Sequence, residues 1–234
     1  MKILQKGFNY SQDGPGNRLV YHLQGCNFAC KWCSNADSIP LENANAKDYT
    51  VDELYDEIMR SRMMFFDGGG VTFTGGEVCM QAEELIPLLK KLKDSGIHTA
   101  VETNASYSSL REAAEYVDYL IADFKHYDDE LHKQWIGTSN KSVKENIEYF
   151  LQEGRQIHIR IPVIHGVNDT PDSFAEYFSR FDTSNAVFEF LAYHEYGKDK
   201  WKGSYEIENG FVPSDTIKEF TEKFNICGMK TVVT

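Results

Sequence analysis

The sequence predicts an α/β fold built on a parallel sheet. Short β-branched runs alternate with amphipathic helical stretches. The alternation recurs about six times in 234 residues, and polar or reactive residues follow nearly every run. Leu19–Leu23 is the first strand. Thr50 is placed to N-cap a helix over Val51–Met63. Val71–Thr74 is the second strand. Ala82–Lys93 then puts Leu85, Leu88, Leu89 and Leu92 on one helical face, with Gly96 as the stop signal. Thr99–Glu102 and Tyr119–Ala122 are the third and fourth strands, and Leu110–Tyr116 is a short helix between them. A helix over Val143–Leu151 leads to the strand Ile157–Val163, and one over Ser173–Phe181 leads to Val187–Leu191. Ser214–Phe224 is the last helix and Lys230–Val233 a final short strand. No repeat, low-complexity tract or clear linker interrupts the series, so the chain reads as a single domain over residues 1–234. A full eight-unit barrel usually takes about 250 residues. On pattern alone, a partial, open (β/α)6 TIM-like barrel and a doubly wound sheet both fit.

Composition narrows the function classes. The formal net charge is −12, from 24 Lys+Arg against 36 Asp+Glu. That balance argues against nonspecific nucleic-acid binding, which needs a basic footprint for phosphates. No apolar run approaches the roughly 20 residues of a membrane span. Residues Met1–Gly7 lack a signal-peptide core. A cytoplasmic protein is expected, in which disulfides are not.

The cysteines are unevenly spread. Cys26, Cys30 and Cys33 crowd into one segment, while Cys79 and Cys227 stand apart. The spacing is C-x3-C-x2-C. Structural zinc normally takes four closed ligands, whereas thiolates also suit iron–sulfur clusters. A cubane held by three cysteines keeps one iron without a protein ligand, available to a chelating substrate. Other reactive residues follow the later strands: Gly75-Gly76-Glu77, then Thr103-Asn104, then Asp123 and Lys125, then His194. In parallel α/β folds, sites gather at the C-terminal ends of strands. Polar loops alone explain any one of these segments, but explain the series less well.

C-x3-C-x-aromatic-C, with Trp32 in the aromatic slot, resembles the radical S-adenosylmethionine superfamily. Gly75-Gly76-Glu77 is similar to that family's GGE motif; a lone Gly-Gly-Glu would be an ordinary β-to-α turn. Asp13-Gly14-Pro15-Gly16-Asn17-Arg18 resembles the start of glycyl radical enzyme activating enzymes, as do four later stretches. These are Asp123-Phe124-Lys125-His126 with the residues on to Asn140, Ile161-Pro162 through Asp169, Leu191-Ala192-Tyr193-His194, and Gly197, Lys200 and Trp201. Val78 stands where many relatives have proline, and Ala36-Asp37 replaces a more usual Pro-Glu. No cysteine lies between Cys33 and Gly75, so no ferredoxin-like insert with extra clusters is expected. The compact pyruvate formate-lyase activase type fits that absence, although Trp32-Cys33-Ser34-Asn35 reads more like the insert-bearing branch.

The resemblance implies one [4Fe-4S] cluster held by Cys26, Cys30 and Cys33, with S-adenosylmethionine as cofactor. It implies reductive cleavage of the cofactor and hydrogen abstraction by a 5′-deoxyadenosyl radical from a glycine of a partner glycyl radical enzyme. A one-electron reductant such as flavodoxin or ferredoxin is implied too, with no nucleic acid or membrane partner. Trp32, Ser34, Gly75, Gly76, Glu77, Asp123, Phe124, Lys125, Arg160 and His194 would line the cofactor. Glu102, Thr103 and Asp123 would hold a monovalent cation. A radical enzyme acting on a small molecule and an activator of anaerobic ribonucleotide reductase are the alternatives.

Overall fold

Lys2–Tyr10 forms a first strand, β1, which pairs antiparallel with β2, Asn17–Leu23. In this computed structural model, residues 1–203 and 205–232 are described. Val233, the last residue of the expected final strand, lies outside them. The chain divides into two units, the first comprising Met1–Asn27, Asp37–Thr103 and Tyr107–Leu120. The second comprises Phe28–Ala36, Asn104–Ser106 and the chain from Ile121 onward.

In the first unit, β3 (Lys47–Asp48) pairs with the start of β1. Helix α1, Val51–Ser61, follows Thr50, whose side chain and backbone exchange hydrogen bonds with Glu53 in a capping box. The expected helix to Met63 ends at Ser61, and Arg62–Met64 tightens into a 3-10 turn. β4, Gly70–Gly75, pairs parallel with β2. Helix α2, Ala82–Asp94, buries Leu85, Leu88, Leu89 and Leu92 as its periodicity requires, and Gly96 takes φ +70° beyond its end. β5, Thr99–Thr103, adds to β4, and α3 is a short helix over Leu110–Ala114.

The second unit takes the end of β6 (Tyr119–Asp123), from Ile121 on, then α4 (Asp129–Ile136), α5 (Lys141–Gln152), β7 (Ile157–Val163), α6 (Pro171–Phe178), β8 (Ala186–Ala192), α7 (Thr216–Ile226) and β9 (Lys230–Val232). Its core is aromatic. Phe178 of α6 meets Phe188 at 4.8 Å between ring centroids, and Phe190 meets Phe224 of α7 at the same distance. Alternation then turns His158, Arg160 and Glu189 to the opposite face of the sheet.

Strand order is β3-β1-β2-β4-β5 in the first unit and β6-β7-β8-β9 in the second. Parallel strands follow chain order without reversal in both. A doubly wound sheet needs such a reversal at its switch point. Within each unit the strands are mostly parallel and in chain order, which is the partial-barrel class and not the doubly wound alternative.

Candidate functional site

In the first unit, the turn after β4 is stitched to the arm that follows β2. Gly76 N–H donates to Leu23 O at 2.9 Å, and Glu77 N–H donates to Gly25 O at 2.8 Å. Larger residues do not fit this approach. A Cβ on Gly76 would lie 2.1 Å from Gly25 O, and one on Gly75, at φ +105°, would lie 2.6 Å from Leu23 N. The arm is held on its other side by Gly25 N–H to Ser38 O and Cys26 N–H to Ile39 O, at 2.8 and 3.1 Å. Cys26 is thus carried, half-buried, on a backbone fixed from two directions.

Glu77 is fully buried. Its Oε1 accepts from Thr103 Oγ1 at 2.7 Å and from Cys79 N–H at 3.0 Å. Burial first, and the Glu77 charge second, push the Cys79 thiol well above the ordinary cysteine range. One strand over, Glu102 Oε2 accepts from Thr74 Oγ1 at 2.9 Å. The oxygen donors expected around a cation therefore each have a protein partner: Thr103 bonds to Glu77, Glu102 to Thr74, and Asp123 to Lys125.

The second unit holds the later cysteines. Ala29 N–H donates to Ile136 O and Lys31 N–H to Trp135 O, at 2.9 and 3.1 Å, hanging this half of the loop on the end of α4. Gly137, at φ +88°, ends that helix. Cys33 N–H donates to Cys30 O at 3.1 Å, closing a turn around Trp32. Cys30 and Trp32 are buried, while Cys33 and Ser34 are half-buried. The segment after β8 ties the same loop: Trp201 Nε1–H donates to Cys33 O and Lys200 Nζ to Asn35 Oδ1, both at 3.1 Å. A Cβ on Gly197 would lie 2.3 Å from Ser34 O, so this contact also requires glycine.

Asp123, at the end of β6, receives the Lys125 ammonium at 2.8 Å. Burial pulls the Lys125 pKa down, but Asp123 and the charges of Cys30 and Cys33 outweigh it and hold the group above the ordinary lysine range. Asn168 donates to Lys125 O and Pro162 O at 2.9 and 2.7 Å, bracing the loops after β6 and β7. Phe124 turns its ring onto α6, 4.9 Å from Phe178 and 5.1 Å from Tyr177 between centroids. His194, beyond β8, stacks on Tyr196 at 4.4 Å. Its Nδ1 accepts from Tyr196 N–H at 3.4 Å, and burial lowers its pKa.

Arg160, buried on β7, needs an anionic partner. Within the protein that anion is Glu189: Arg160 Nε donates to Glu189 Oε2 at 2.7 Å. Glu189 and His158 escaped the sequence reading. A carboxylate inside the apolar run Val187–Leu191 was the available signal, since strand interiors rarely hold an unpaired charge.

Two units each built from βα repeats, a thiol-bearing loop after the first parallel strand and a glycine-built turn after the second define a class. The chain belongs to the Radical SAM superfamily, whose family profile matches residues 20–178. It is a radical SAM enzyme homologous to pyruvate formate-lyase activating enzymes. It is 35% identical to the pyruvate formate-lyase 1-activating enzyme of Escherichia coli (strain K12), over 81% of this chain and 79% of that protein. It is 31% identical to the pyruvate formate-lyase-activating enzyme of Staphylococcus epidermidis, over 92% of each. A crystal structure of a domain of pyruvate-formate lyase-activating enzyme from Bacteroides vulgatus matches with a TM-score of 0.61 and 26% identity. That match covers 71% of this chain and 99% of the other. No helix among the described residues is long and apolar enough to cross a membrane.

Proposed function

We propose that this chain activates a glycyl radical enzyme by abstracting hydrogen from a glycine of that partner. The observation that carries the reading is the 35% identity to a pyruvate formate-lyase activating enzyme across 81% of the chain. The donor chemistry is compatible with an iron–sulfur cluster: Cys26, Cys30 and Cys33 share one loop and none is in a disulfide. The Lys125 ammonium, whose pKa the charges of Cys30 and Cys33 raise, would favour their thiolate forms.

Cys26, Cys30 and Cys33 would hold one [4Fe-4S] cluster, with S-adenosylmethionine beside it. Together these groups would supply the one-electron chemistry needed to take hydrogen from a glycine Cα. The chain's own residues do the placing. The glycine turn at Gly75-Gly76 fixes the Cys26 arm, and Glu77 fixes that turn through Thr103 and Cys79. Trp32 and Ser34, within the cysteine loop, would bound the cofactor. So would Asp123 and Lys125 after β6, with the Phe124 ring packed behind them on α6, Arg160 on β7 and His194 beyond β8. Glu102, Thr103 and Asp123 would contribute oxygens to a monovalent cation. The chain acts as one radical SAM core over residues 1–234, with electrons from a small reductant such as a flavodoxin or ferredoxin.

Anaerobic incubation with S-adenosylmethionine, a reductant and purified pyruvate formate-lyase tests the reading. The expected result is a glycyl radical doublet on the partner by electron paramagnetic resonance. Turnover on a small molecule with no doublet on any glycyl radical enzyme would replace this function with the small-molecule alternative.

A further inference from the structure

β1 has one paired edge and one open edge. β2 covers the inner edge over Gln5–Tyr10, while β3 reaches only Lys2 and Ile3 on the outer edge. Among the described residues, no strand pairs with the outer edge of Gln5–Tyr10. The end of the hairpin shows which peptide groups face outward. Ser11 N–H donates to Gly16 O at 3.0 Å, so these two form a hydrogen-bonded pair. Asn17 N–H, opposite Tyr10, turns away from β1 to Phe66 O at 3.1 Å. Bonded and non-bonded pairs alternate along an antiparallel ladder. Gln5, Gly7 and Asn9 therefore turn their peptide groups to β2, and Lys6, Phe8 and Tyr10 turn theirs outward.

The side chains beside this edge are apolar and exposed. Lys6, Phe8 and Tyr10 share one face of β1. Phe8 lies 6.4 Å from Phe65, and Tyr10 lies 6.2 Å from Phe66, between ring centroids. Tyr10 is 55% exposed and Met63 85% exposed, and Phe8, Met64 and Phe66 are exposed as well. The segment is held in place, since Asn17 Nδ2 also donates to Met64 O at 2.7 Å. An apolar patch of this kind marks a recognition surface, and Met, Phe, Tyr and Arg are the residues enriched in such surfaces.

Charge selects the occupant. Lys6 is already paired with Glu57 at 2.7 Å, and Tyr10 O–H donates to Asp67 at 3.0 Å. Arg60 and Arg62 are exposed in the same stretch and, among the described residues, join no ion pair. A second copy of the chain would bring two more such arginines to the edge. A strand carrying acidic side chains would neutralise the two that are there.

We propose that the outer edge of β1 is a docking site, where an extended segment of the partner glycyl radical enzyme, acidic and apolar by turns, adds as a further strand. The inference rests on the proposed function, in which a folded protein must be held by more than its reacting glycine. Main-chain bonds at Lys6, Phe8 and Tyr10 supply affinity, and apolar side chains set on Phe8, Tyr10 and Met63 supply register. Cys26 follows the opposite end of β2, so this contact is separate from the chemistry.

Anaerobic activation of pyruvate formate-lyase by cluster-loaded protein tests the site, with the glycyl radical measured against partner concentration. No doublet with the wild-type chain at any concentration means that the proposed function fails, and the docking site with it. With the doublet present, Phe8→Pro removes an outward N–H and none of the β2 ladder. It should raise the KM for the partner about fivefold over Phe8→Ala, the scale of one hydrogen bond. Arg60→Glu combined with Arg62→Glu should raise that KM about tenfold. Iron content, circular dichroism and S-adenosylmethionine cleavage without the partner should match wild type in each variant. A wild-type KM after charge reversal, or equal KM values for Phe8→Pro and Phe8→Ala, would overturn the docking site and leave the function standing. Should Phe8→Pro not fold, hydrogen exchange over Gln5–Tyr10 replaces it. The partner should slow exchange there, and unchanged exchange would overturn the proposal. A dimer of the chain in sedimentation that the arginine reversals or Phe8→Ala abolish would give the edge to a second copy and overturn it too.

Discussion

Trp201 Nε1–H donates to the backbone carbonyl of Cys33 at 3.1 Å. The residues are far apart in sequence, and the bond ties the segment after β8 to the last of the three crowded cysteines. Lys200 to Asn35 and the close approach of Gly197 to Ser34 reinforce the same junction. The cysteine loop is thus held by the end of α4 on one flank and by this later segment on the other.

Removing that donor should loosen the loop without unfolding the unit. Trp201→Phe keeps a ring and deletes the N–H, a loss of about 1 kcal/mol for a single hydrogen bond. The expected outcome is faster cluster loss to an iron chelator, followed by visible absorbance, with little change in thermal midpoint. A chelation rate equal to wild type would show that the tie does not restrain Cys33.

The glycine turn gives a sharper steric test. Gly76→Ala puts a Cβ 2.1 Å from Gly25 O, against backbone that cannot rotate away. Overpacking of this kind costs about 1–3 kcal/mol. The urea midpoint should fall, and less iron should be taken up on reconstitution because the displaced arm carries Cys26. Gly7→Ala is the control, since nothing lies within 4 Å of the Cβ it would add. Its midpoint should stay near wild type, and equal losses in the two variants would remove the steric explanation.

Stability should also depend on pH between neutrality and mild acid. Burial lowers the pKa of His98, His126, His132 and His194 from 6.5, and at His98 the Arg18 charge adds to it. The unfolded chain therefore binds protons first as pH drops through 6.5. Their contribution to stability is complete above that pH and declines below it, until the folded groups titrate in turn. The cluster-free chain should have a lower urea midpoint at pH 5.5 than at pH 7.5. An unchanged or higher midpoint would mean that these imidazoles do not stay neutral in the fold.

Much of this arrangement was legible in the sequence, for physical reasons that differ by element. The Leu85, Leu88, Leu89, Leu92 stripe declared α2 because periodicity and burial coincide there. β1 gave no such signal. Gln5, Lys6, Gly7 and Phe8 are exposed, and the strand exists through its pairing with β2. Helix α4 is eight residues long and buries His132 and Ile136, too short a stripe to stand out. The reactive residues were legible because they follow strands. Glu189 was not, since its meaning depends on register with Arg160, a relation between strands that no local window contains.

The five cysteines should separate chemically as their environments do. Cys227 is exposed after α7, whereas Cys79 is 3% exposed and its thiol is held protonated by burial and the Glu77 charge. Thiolate character and access together govern alkylation. In the native protein, iodoacetamide should label Cys227 readily and Cys79 hardly at all, with peptide mass spectrometry as the readout. Cys227→Ala should leave cluster loading and S-adenosylmethionine cleavage unchanged, because the residue is an exposed cap at the end of α7. Cys30→Ala removes a buried thiol from the loop itself and should abolish both. Continued formation of 5′-deoxyadenosine by Cys30→Ala would show that the loop does not supply the ligands in the way its spacing indicates.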